Sequence, residues 1–310
     1  MTFLDDKLAR GETIILDGGT GTELERRGAK MSDQTWCAAA TLTDQPIIRE
    51  VHRDYIRAGA EVVTANTFAS SVFSLDYHGK LGELAAIDTT AVRLAREAVG
   101  EAGVARPVAV AGSFSAMRPV IVGTDRSMPP DAWDEAKSRP LLQRKAEGLK
   151  AAGVDLILME MMRDRDHSLW ATEAAVATGL PVWVGISVER RPDGALAGFG
   201  RHDWTLEEIV APLMATGAKA CSVMHCNVND VTPALQIIRK HWQGPLGAYP
   251  ESGFFKMPSW QFVDIIAPDA LVDAAREWRD LGVTILGGCC GMGPEHIAAL
   301  SSAFADRPAA

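Results

Sequence analysis

The chain has 310 residues, of which 47% are hydrophobic and 23% charged, and its formal net charge at pH 7 is −9. This length can bury a large core in one α/β domain or in two smaller ones. The acidic balance and the lack of clustered Lys and Arg argue against nucleic acid as the main partner. No segment reaches the roughly 18 apolar residues that a membrane span needs, and the first residues do not resemble a signal peptide. We therefore expect a cytoplasmic protein that binds small molecules.

Short apolar runs alternate with longer amphipathic segments from one end of the chain to the other. This alternation is typical of βα units around a parallel sheet. Eight apolar runs predict strands, at residues 13–16, 61–65, 107–111, 155–159, 181–186, 220–224, 245–248 and 283–286. Several of the intervening segments end in a Gly suited to a helix C-cap, such as Gly59, Gly153 and Gly282.

Eight βα units in about 300 residues predict an α/β fold of the (β/α)8 TIM barrel class. No Pro/Gly/Ser-rich linker divides the chain, so we expect a single domain over residues 1–310. A doubly wound open sheet is the alternative. The first strand, however, lacks the G-x-G-x-x-G turn of a dinucleotide site, because the Gly-rich residues 18–21 have another spacing.

Polar residues follow every predicted strand at its carboxyl end. Each of them alone is explained as a loop residue or a helix cap, but in a barrel these positions form the active-site face. Their joint placement therefore predicts a functional site at that face. The residues are Asp17, Asn66, Ser113, Glu160, Ser187, Cys226, Tyr249, Glu251, Cys289 and Cys290.

The five cysteines are too few and too unevenly spaced for a disulfide framework, so free thiols are expected. Zinc prefers thiolate and imidazole ligands, and a catalytic zinc site keeps one of its four positions open. Cys226 follows the sixth predicted strand, and Cys289 and Cys290 follow the eighth between glycines. These three cysteines are the predicted metal ligands.

The other two cysteines and a neighbouring histidine are assigned differently. We expect Cys37 and Cys221 to be structural, because a free cysteine is most often a small buried residue. Cys37 falls in a polar loop with no partner nearby in the sequence. His225 is a candidate fourth ligand, but successive residues of an extended strand face opposite sides. The sequence therefore predicts that His225 points away from Cys226.

Three segments and the upstream Cys226 resemble the homocysteine S-methyltransferase family. They are residues 15–24 (ILDGGTGTEL), 64–68 (TANTF) and 286–291 (LGGCCG). The resemblance runs over nearly the whole chain and implies a (β/α)8 barrel. It also implies a zinc ion held by Cys226, Cys289 and Cys290, and binding of homocysteine by Asp17 and Glu160.

The mechanism that follows is methyl transfer to a thiolate. Zinc coordination stabilises the deprotonated sulfur of homocysteine, which is the reactive form. Asp17 and Glu160 are the predicted catalytic residues, because they would hold the substrate ammonium so that sulfur and methyl group meet. Trp36 offers an aromatic face to a cationic donor. The remaining predicted substrate-binding positions are Asn66 and Ser113.

Two further segments bear on the methyl donor. Residues 33–36 (DQTW) and 249–253 (YPESG) resemble the branch of the family that uses S-methylmethionine or S-adenosylmethionine. The betaine branch has a tyrosine directly after the Glu, whereas Met161 and Met162 follow Glu160 here. We therefore expect a sulfonium donor and methionine as product, with betaine or dimethylsulfoniopropionate as alternatives.

Two other classes of function compete with this prediction. Gly287 and Gly288 before the last helix are suited to a phosphate-binding loop, which would make the protein an aldolase or epimerase. That reading gives Cys289 and Cys290 no role. A thiolate site that senses or stores metal is the second alternative, but no DNA-binding element is found. The expected partners are two small molecules, and a homo-oligomer stays open.

Overall fold

Strands and helices alternate along the chain in the computed structural model, which describes residues 2–121, 124, 126–129, 132–256 and 261–305. Eight of the strands form one parallel sheet, two more extend one of its strands in antiparallel pairing, and the last two pair with each other in a separate sheet. The strands are β1 Ile14–Ile15, β2 Val62–Ala65, β3 Ala109–Ser115, β4 Leu156–Met162, β5 Val182–Arg190, β6 Leu196–Gly198, β7 Arg201–Thr205, β8 Ala220–Asn227, β9 Leu246–Glu251, β10 Phe254–Lys256, β11 Gln261–Val263 and β12 Val283–Leu286.

The parallel sheet closes on itself. Its strands pair in the order β1-β12-β9-β8-β5-β4-β3-β2. A parallel bridge between Leu16 and Val62 joins the two ends, with hydrogen bonds from Asp17 N to Val62 O at 3.1 Å and from Glu61 N to Ile15 O at 2.7 Å. The predicted (β/α)8 barrel is confirmed.

Eight long helices surround the barrel, and shorter ones lie in its loops. Right-handed βα connections place a helix outside the sheet after each strand. The helices are α1 Phe3–Ala9, α2 Thr20–Arg26, α3 Ala40–Thr43, α4 Gln45–Ala58, α5 Val72–Tyr77, α6 Leu84–Glu101, α7 Glu135–Ala152, α8 Asp166–Ala177, α9 Leu206–Met214, α10 Val228–His241, α11 Pro268–Asp280 and α12 Pro294–Phe304. No helix in the described part of the chain is long and apolar enough to cross a membrane.

All eight predicted strands are present, and the C-caps of two predicted helices are also confirmed. Gly59 ends α4 with φ of 118° and Gly153 ends α7 with φ of 88°, which is the left-handed conformation that glycine adopts without strain. The strands differ from the prediction at their carboxyl ends. Ser113 and Glu160, expected in loops, lie inside β3 and β4. These two strands are longer than the apolar runs that predicted them, because they continue into polar residues at the barrel mouth.

Two apolar layers hold the barrel together. Side chains alternate along each strand, so in β4 Leu156 and Leu158 fill the barrel interior while Ile157 and Met159 pack against the helices. Helix α1 closes the amino end of the interior, where Leu4 joins the inner layer. The opposite end, at the carboxyl ends of the strands, holds a cavity.

Candidate active site

A cavity of about 240 Å³ opens at the carboxyl ends of the barrel strands. Seven of the eight residues predicted to bind substrate or metal line it, and the eighth, Cys226, lies outside its lining. The seven are Asp17, Trp36, Asn66, Ser113, Glu160, Cys289 and Cys290. The barrel topology therefore brings together side chains from the first, second, third, fourth and eighth units of the fold.

Backbone hydrogen bonds fix the loop that carries the two adjacent cysteines. Gly287 N donates to Ala248 O at 3.1 Å and Cys289 N donates to Pro250 O at 2.9 Å, so the loop is tied to β9 and the residue at its end. On the other side the loop meets the turn after β1. A Cβ on Gly19 would lie 2.5 Å from the carbonyl oxygen of Cys289, so this close approach requires glycine.

Cys289 and Cys290 form a cluster with His225. One ligand atom from each of the three residues lies within 4.8 Å of the others, and His225 Nδ1 is 3.6 Å from Cys289 Sγ. Cys226 does not belong to this cluster within the described residues. It is buried and packs in the apolar layer between sheet and helices.

His225 and Cys226 point in opposite directions, as predicted, but the cysteine was expected to face the cavity and the structure places the histidine there. His225 has φ of 42°, and the pairing of β8 with β9 shifts register between Met224 and Asn227. Such an irregularity turns the side chains that follow it, and no periodicity rule locates it in advance.

The electrostatics of the cluster suit a cation. The Cys290 sulfur together with burial raises the pKa of Cys289, and burial likewise raises the pKa of the Cys226 thiol, which lies outside the cluster. Burial opposes the charged form of His225, but Glu251 at 3.1 Å and Cys289 outweigh it and raise its pKa to about 9. Thiols in such surroundings ionise only beside a positive charge. A metal ion bound at the cluster would supply that charge.

Two carboxyl groups share the cavity with the cysteines. Asp17 accepts hydrogen bonds from Thr64 N at 2.6 Å and Thr64 Oγ1 at 2.8 Å, and burial still raises its pKa to about 7. Burial also raises the pKa of Glu160 to about 7, against its hydrogen bond with Ser113, and the nearby Asp17 carboxyl adds to this shift. A cationic substrate group would stabilise both in their ionised form.

A buried hydroxyl in the same cavity has no hydrogen-bond partner among the described residues. It is the phenol of Tyr249, whose side chain comes from β9 and is 3% exposed. Buried polar atoms are almost always paired. The Tyr249 hydroxyl therefore marks a position for a polar group of a ligand or for water.

Trp36 and Asn66 have different roles at the cavity wall. The indole of Trp36 packs edge-on against Phe68, with ring centroids 6.2 Å apart, and forms part of the cavity wall. Asn66 instead binds protein atoms, because its Nδ2 donates to Cys37 O and to Thr41 Oγ1, both at 3.0 Å. Asn66 thus holds the loop after β1 in place.

The expectation that Cys37 is isolated in a polar loop is wrong in part. The residue is buried, as predicted, but its Sγ lies 3.2 Å from Asn66 Oδ1 and it contributes to the cavity wall. Cys221 is fully buried in β8, at the end remote from the cavity, as expected.

Sequence reasoning missed one side of the cavity. Arg126, Arg163 and Phe199 line it, with Phe254 beyond them. Arg163 follows β4 directly, so a charged residue at the carboxyl end of a predicted strand was an available signal. Phe199 gave no signal, because it belongs to the turn between β6 and β7 that folds over the barrel mouth.

Comparison with known proteins identifies the family. The homocysteine S-methyltransferase family model matches residues 14–304. Betaine–homocysteine S-methyltransferase 1 of Bos taurus is 28% identical over 97% of this chain and 74% of its own length. The S-methylmethionine–homocysteine S-methyltransferase of Pongo abelii is 26% identical over 97% of this chain and 80% of its own length.

A solved structure agrees with these relatives. The metallated form of the homocysteine methyltransferase MmuM from Escherichia coli superposes with a TM-score of 0.73 and 26% identity, covering 97% of this chain and 99% of that one. With the family model matching 14–304, the chain belongs to the homocysteine S-methyltransferase family and is an enzyme that transfers a methyl group to homocysteine.

Proposed function

We propose that this enzyme takes the methyl group from a sulfonium donor, S-methylmethionine or S-adenosylmethionine, and that it uses a zinc ion held by Cys226, Cys289 and Cys290. The product is methionine, formed in the cytoplasm. The observation that carries the proposal is the pair Cys289 and Cys290 beside the buried carboxyls of Asp17 and Glu160 in one cavity.

The residues present fit zinc. Two thiols and an imidazole approach one another closely at the cavity, and a third thiol, Cys226, lies in the same segment of β8 as His225. Sulfur and nitrogen donors of this kind select zinc over magnesium or calcium. When bound, zinc would stabilise the thiolate form of the acceptor sulfur and so supply a nucleophile at neutral pH.

Asp17 and Glu160 orient the acceptor. Each carboxyl is costly to ionise where it lies, and an ammonium group beside it removes that cost. Homocysteine carries one ammonium and one sulfur. Two fixed carboxylates that hold the ammonium also orient the sulfur toward the methyl group. Such positioning of two substrates accounts for a large part of an enzyme's rate acceleration.

The methyl transfer itself needs no acid. The homocysteine sulfur forms a bond to the methyl carbon while the carbon–sulfur bond of the donor breaks, and its electron pair leaves with the donor sulfur. The donor thereby becomes a neutral thioether. The aromatic faces of Trp36, Phe68 and Phe199 line the cavity and suit the positive charge of the sulfonium before transfer.

Support for a sulfonium donor comes from the scarcity of tyrosine. The chain has three tyrosines, of which Tyr55 is buried in α4 and Tyr77 is exposed on α5. Met161, not a tyrosine, follows Glu160 and lines the cavity. The relative from Pongo abelii has S-methylmethionine in its name.

Betaine is the second candidate donor, because the relative from Bos taurus is named for it. An aldolase has less support, since no lysine is among the residues that line the described cavity. The metal-storage alternative is set aside by membership of an enzyme family.

The test is a donor panel with homocysteine as acceptor and methionine as readout. S-methylmethionine, S-adenosylmethionine, betaine and dimethylsulfoniopropionate are supplied separately to the zinc-loaded enzyme. We expect transfer from a sulfonium donor, and a loss of at least about a hundredfold in Cys289→Ser, because one oriented catalytic interaction is typically worth this much.

Two outcomes contradict the proposal. Transfer from betaine alone overturns the donor class and leaves the zinc site standing. Full activity in Cys289→Ser overturns the zinc site. A Cys221→Ala variant, altered at a buried cysteine remote from the cavity, is the matched control and should retain activity.

A further inference from the structure

Arg163 is a buried cation at the wall of the cavity. Its side chain comes directly after β4, is part of the cavity wall, and the residue is 6% exposed. Within the described residues its guanidinium makes one hydrogen bond, from Nη1 to the carbonyl oxygen of Phe199 at a long 3.5 Å. No described carboxylate forms an ion pair with it. Nearby arginines differ, since Arg118 pairs with Asp164 at 3.1 Å and Arg126 with Glu189 at 3.0 Å.

Such an arrangement is costly to the folded protein. Arginines are almost never fully buried unless they are paired, because the charge loses its hydration. Burial, and after it the neighbouring charge of Arg118, lower the pKa of Arg163 to about 9. The charge of Asp164 opposes this shift only in part, since the pKa stays lowered. A ligand that brings a negative charge would offset the cost of burial.

Other positive charge gathers at the same place. Gly200 lies in the turn between β6 and β7, and a Cβ on it would be 3.3 Å from Arg126 Nη1 and 3.7 Å from Arg163 Nη1. Two guanidinium groups therefore approach one point at the edge of the cavity. A planar guanidinium binds a carboxylate through two parallel hydrogen bonds.

The position relative to the cysteines indicates which ligand the site takes. Phe199, whose carbonyl Arg163 contacts, packs its ring against His225 with centroids 4.8 Å apart. His225 in turn is 3.6 Å from Cys289 Sγ. Arg163 is thus two side chains away from the thiols where the methyl group must react. Asp17 and Glu160 form a negative region for the acceptor ammonium, and Arg163 forms a positive one.

We propose that Arg163 is the carboxylate subsite for the methyl donor, so that the enzyme selects donors that carry a carboxylate as well as the onium group. This inference rests on the proposed function. Arg163 does not attract the onium cation of the donor, but it attracts the carboxylate of the same molecule. The subsite therefore also sets direction, because it draws the anionic end of the donor toward Phe199 and leaves the methyl group for the cysteine cluster. Onium compounds that lack a carboxylate would be poor donors.

The experiment compares each donor with its neutral carboxamide. S-methylmethionine and betaine are each assayed beside the corresponding carboxamide, with wild type, Arg163→Gln and Arg163→Lys. We expect Arg163→Gln to lower kcat/KM for the carboxylate form by about 30-fold or more, as for a buried charge pair that loses one partner. The carboxamide should change by less than about threefold, and Arg163→Lys should restore part of the preference, since it keeps the charge.

Ligand-induced stabilisation gives a readout that does not depend on turnover. A bound donor raises Tm, so the carboxylate form should raise Tm of the wild type and not of Arg163→Gln. The unliganded Arg163→Gln variant should melt no lower than wild type, because it loses an unpaired buried charge. Arg165→Gln, two residues further on and exposed, is the matched control and should behave as wild type.

The acceptor is the other source of a carboxylate. Replacing homocysteine by 3-aminopropane-1-thiol removes that carboxylate. If Arg163→Gln no longer lowers kcat/KM with this acceptor, the subsite belongs to homocysteine and the proposal is overturned. Equal losses for carboxylate and carboxamide donors, or no stabilisation of the wild type by either carboxylate donor, would overturn it too. Failure of methyl transfer in the wild type contradicts the proposed function instead, and the melting comparison still decides the subsite.

Discussion

At the scale of single residues, the site combines carboxyls that resist ionisation with sulfurs that resist it as well. Asp17 and Glu160 have pKa values of about 7, and burial raises that of Cys226. A negative charge on any of them needs a positive group nearby. The bound substrate ammonium and a metal ion would provide such groups, so binding and ionisation are coupled.

The raised pKa of Glu160 predicts how stability depends on pH. Between its ordinary value of 4.5 and about 7 the folded protein keeps the Glu160 proton while the unfolded chain has lost it. The free energy of unfolding therefore falls as pH rises through this window and levels off above it. Because the carboxyl faces a cavity that water can enter, we expect Glu160→Gln to remove on the order of 2 kcal/mol of that fall.

Urea unfolding at pH 5, 6, 7 and 8, in a chelating buffer, measures this difference. Asp17 titrates in the same window, so the comparison is between wild type and variant at each pH. Glu277→Gln, on the exposed face of α11, is the control and should keep the wild-type slope. Identical pH profiles for Glu160→Gln and wild type would contradict the assignment.

At the scale of elements, the first turn of α2 packs closely against the indole ring of Trp36. Gly21 lies in the first turn of α2, and a Cβ there would be 2.3 Å from Cη2 of Trp36. Trp36 itself has φ of 44°, an unusual value for a residue other than glycine. The helix and the loop that follows it are thus built around the position of this indole.

Gly21→Ala is expected to destabilise the protein even though alanine favours helices. The indole of Trp36 must move to admit the methyl group, and overpacking of this kind costs about 1–3 kcal/mol. The donor KM should rise, because Trp36 forms part of the cavity wall. Gly148→Ala in α7, where a Cβ meets nothing within 4 Å, should instead add roughly 0.5–1 kcal/mol of stability. Urea unfolding and kinetics of both variants test this, and a stabilised Gly21→Ala with unchanged KM would contradict it.

At the scale of the whole molecule, the proposed metal site joins parts of the chain that are far apart in sequence. Cys226 and His225 come from β8, and Cys289 and Cys290 follow β12. A metal ion that bridges them would link two segments of the barrel mouth and stabilise the folded state. The zinc content of purified variants can therefore show whether His225 or Cys226 is the ligand from β8.

We expect Cys226→Ser to lose zinc and His225→Gln to retain it. The resemblance to the family implies three thiolate ligands, of which Cys226 is one. The serine hydroxyl that replaces it binds zinc more weakly than a thiolate does. Metal analysis of the purified variants is the primary measurement, and the fall in Tm on adding a chelator is the second. Wild type should hold close to one zinc ion per chain.

The opposite result would assign the site to the cluster seen at the cavity. If His225→Gln loses zinc and Cys226→Ser keeps it, the ligands are His225, Cys289 and Cys290 and the prediction for Cys226 is wrong. Cys37→Ala, at a buried cysteine that contacts Asn66, serves as the control and should keep its zinc.

Prediction from sequence succeeded for the sheet and for a part of the cavity wall. The apolar run at residues 155–159 predicts β4, because alternate residues must face the barrel interior and the helices. Asp17 and Glu160 were found as polar residues after apolar runs. The direction of His225 toward the cavity was not predicted, because the irregularity in β8 depends on how β8 and β9 pair. The positive region at Arg163 was missed, since burial of a charge cannot be read from its neighbours in sequence.

The sequence by itself determined the barrel, the family and the residues at the carboxyl ends of the strands. These follow from local periodicity and from short motifs, which the chain carries whatever its packing. Only the tertiary structure decided that His225 meets Cys289. It also decided that, among the residues described, the buried Tyr249 hydroxyl has no partner and Arg163 faces the cavity without a paired carboxylate. The physical reason is that each of these properties depends on contacts between segments distant in sequence, and burial and charge compensation arise only from such contacts.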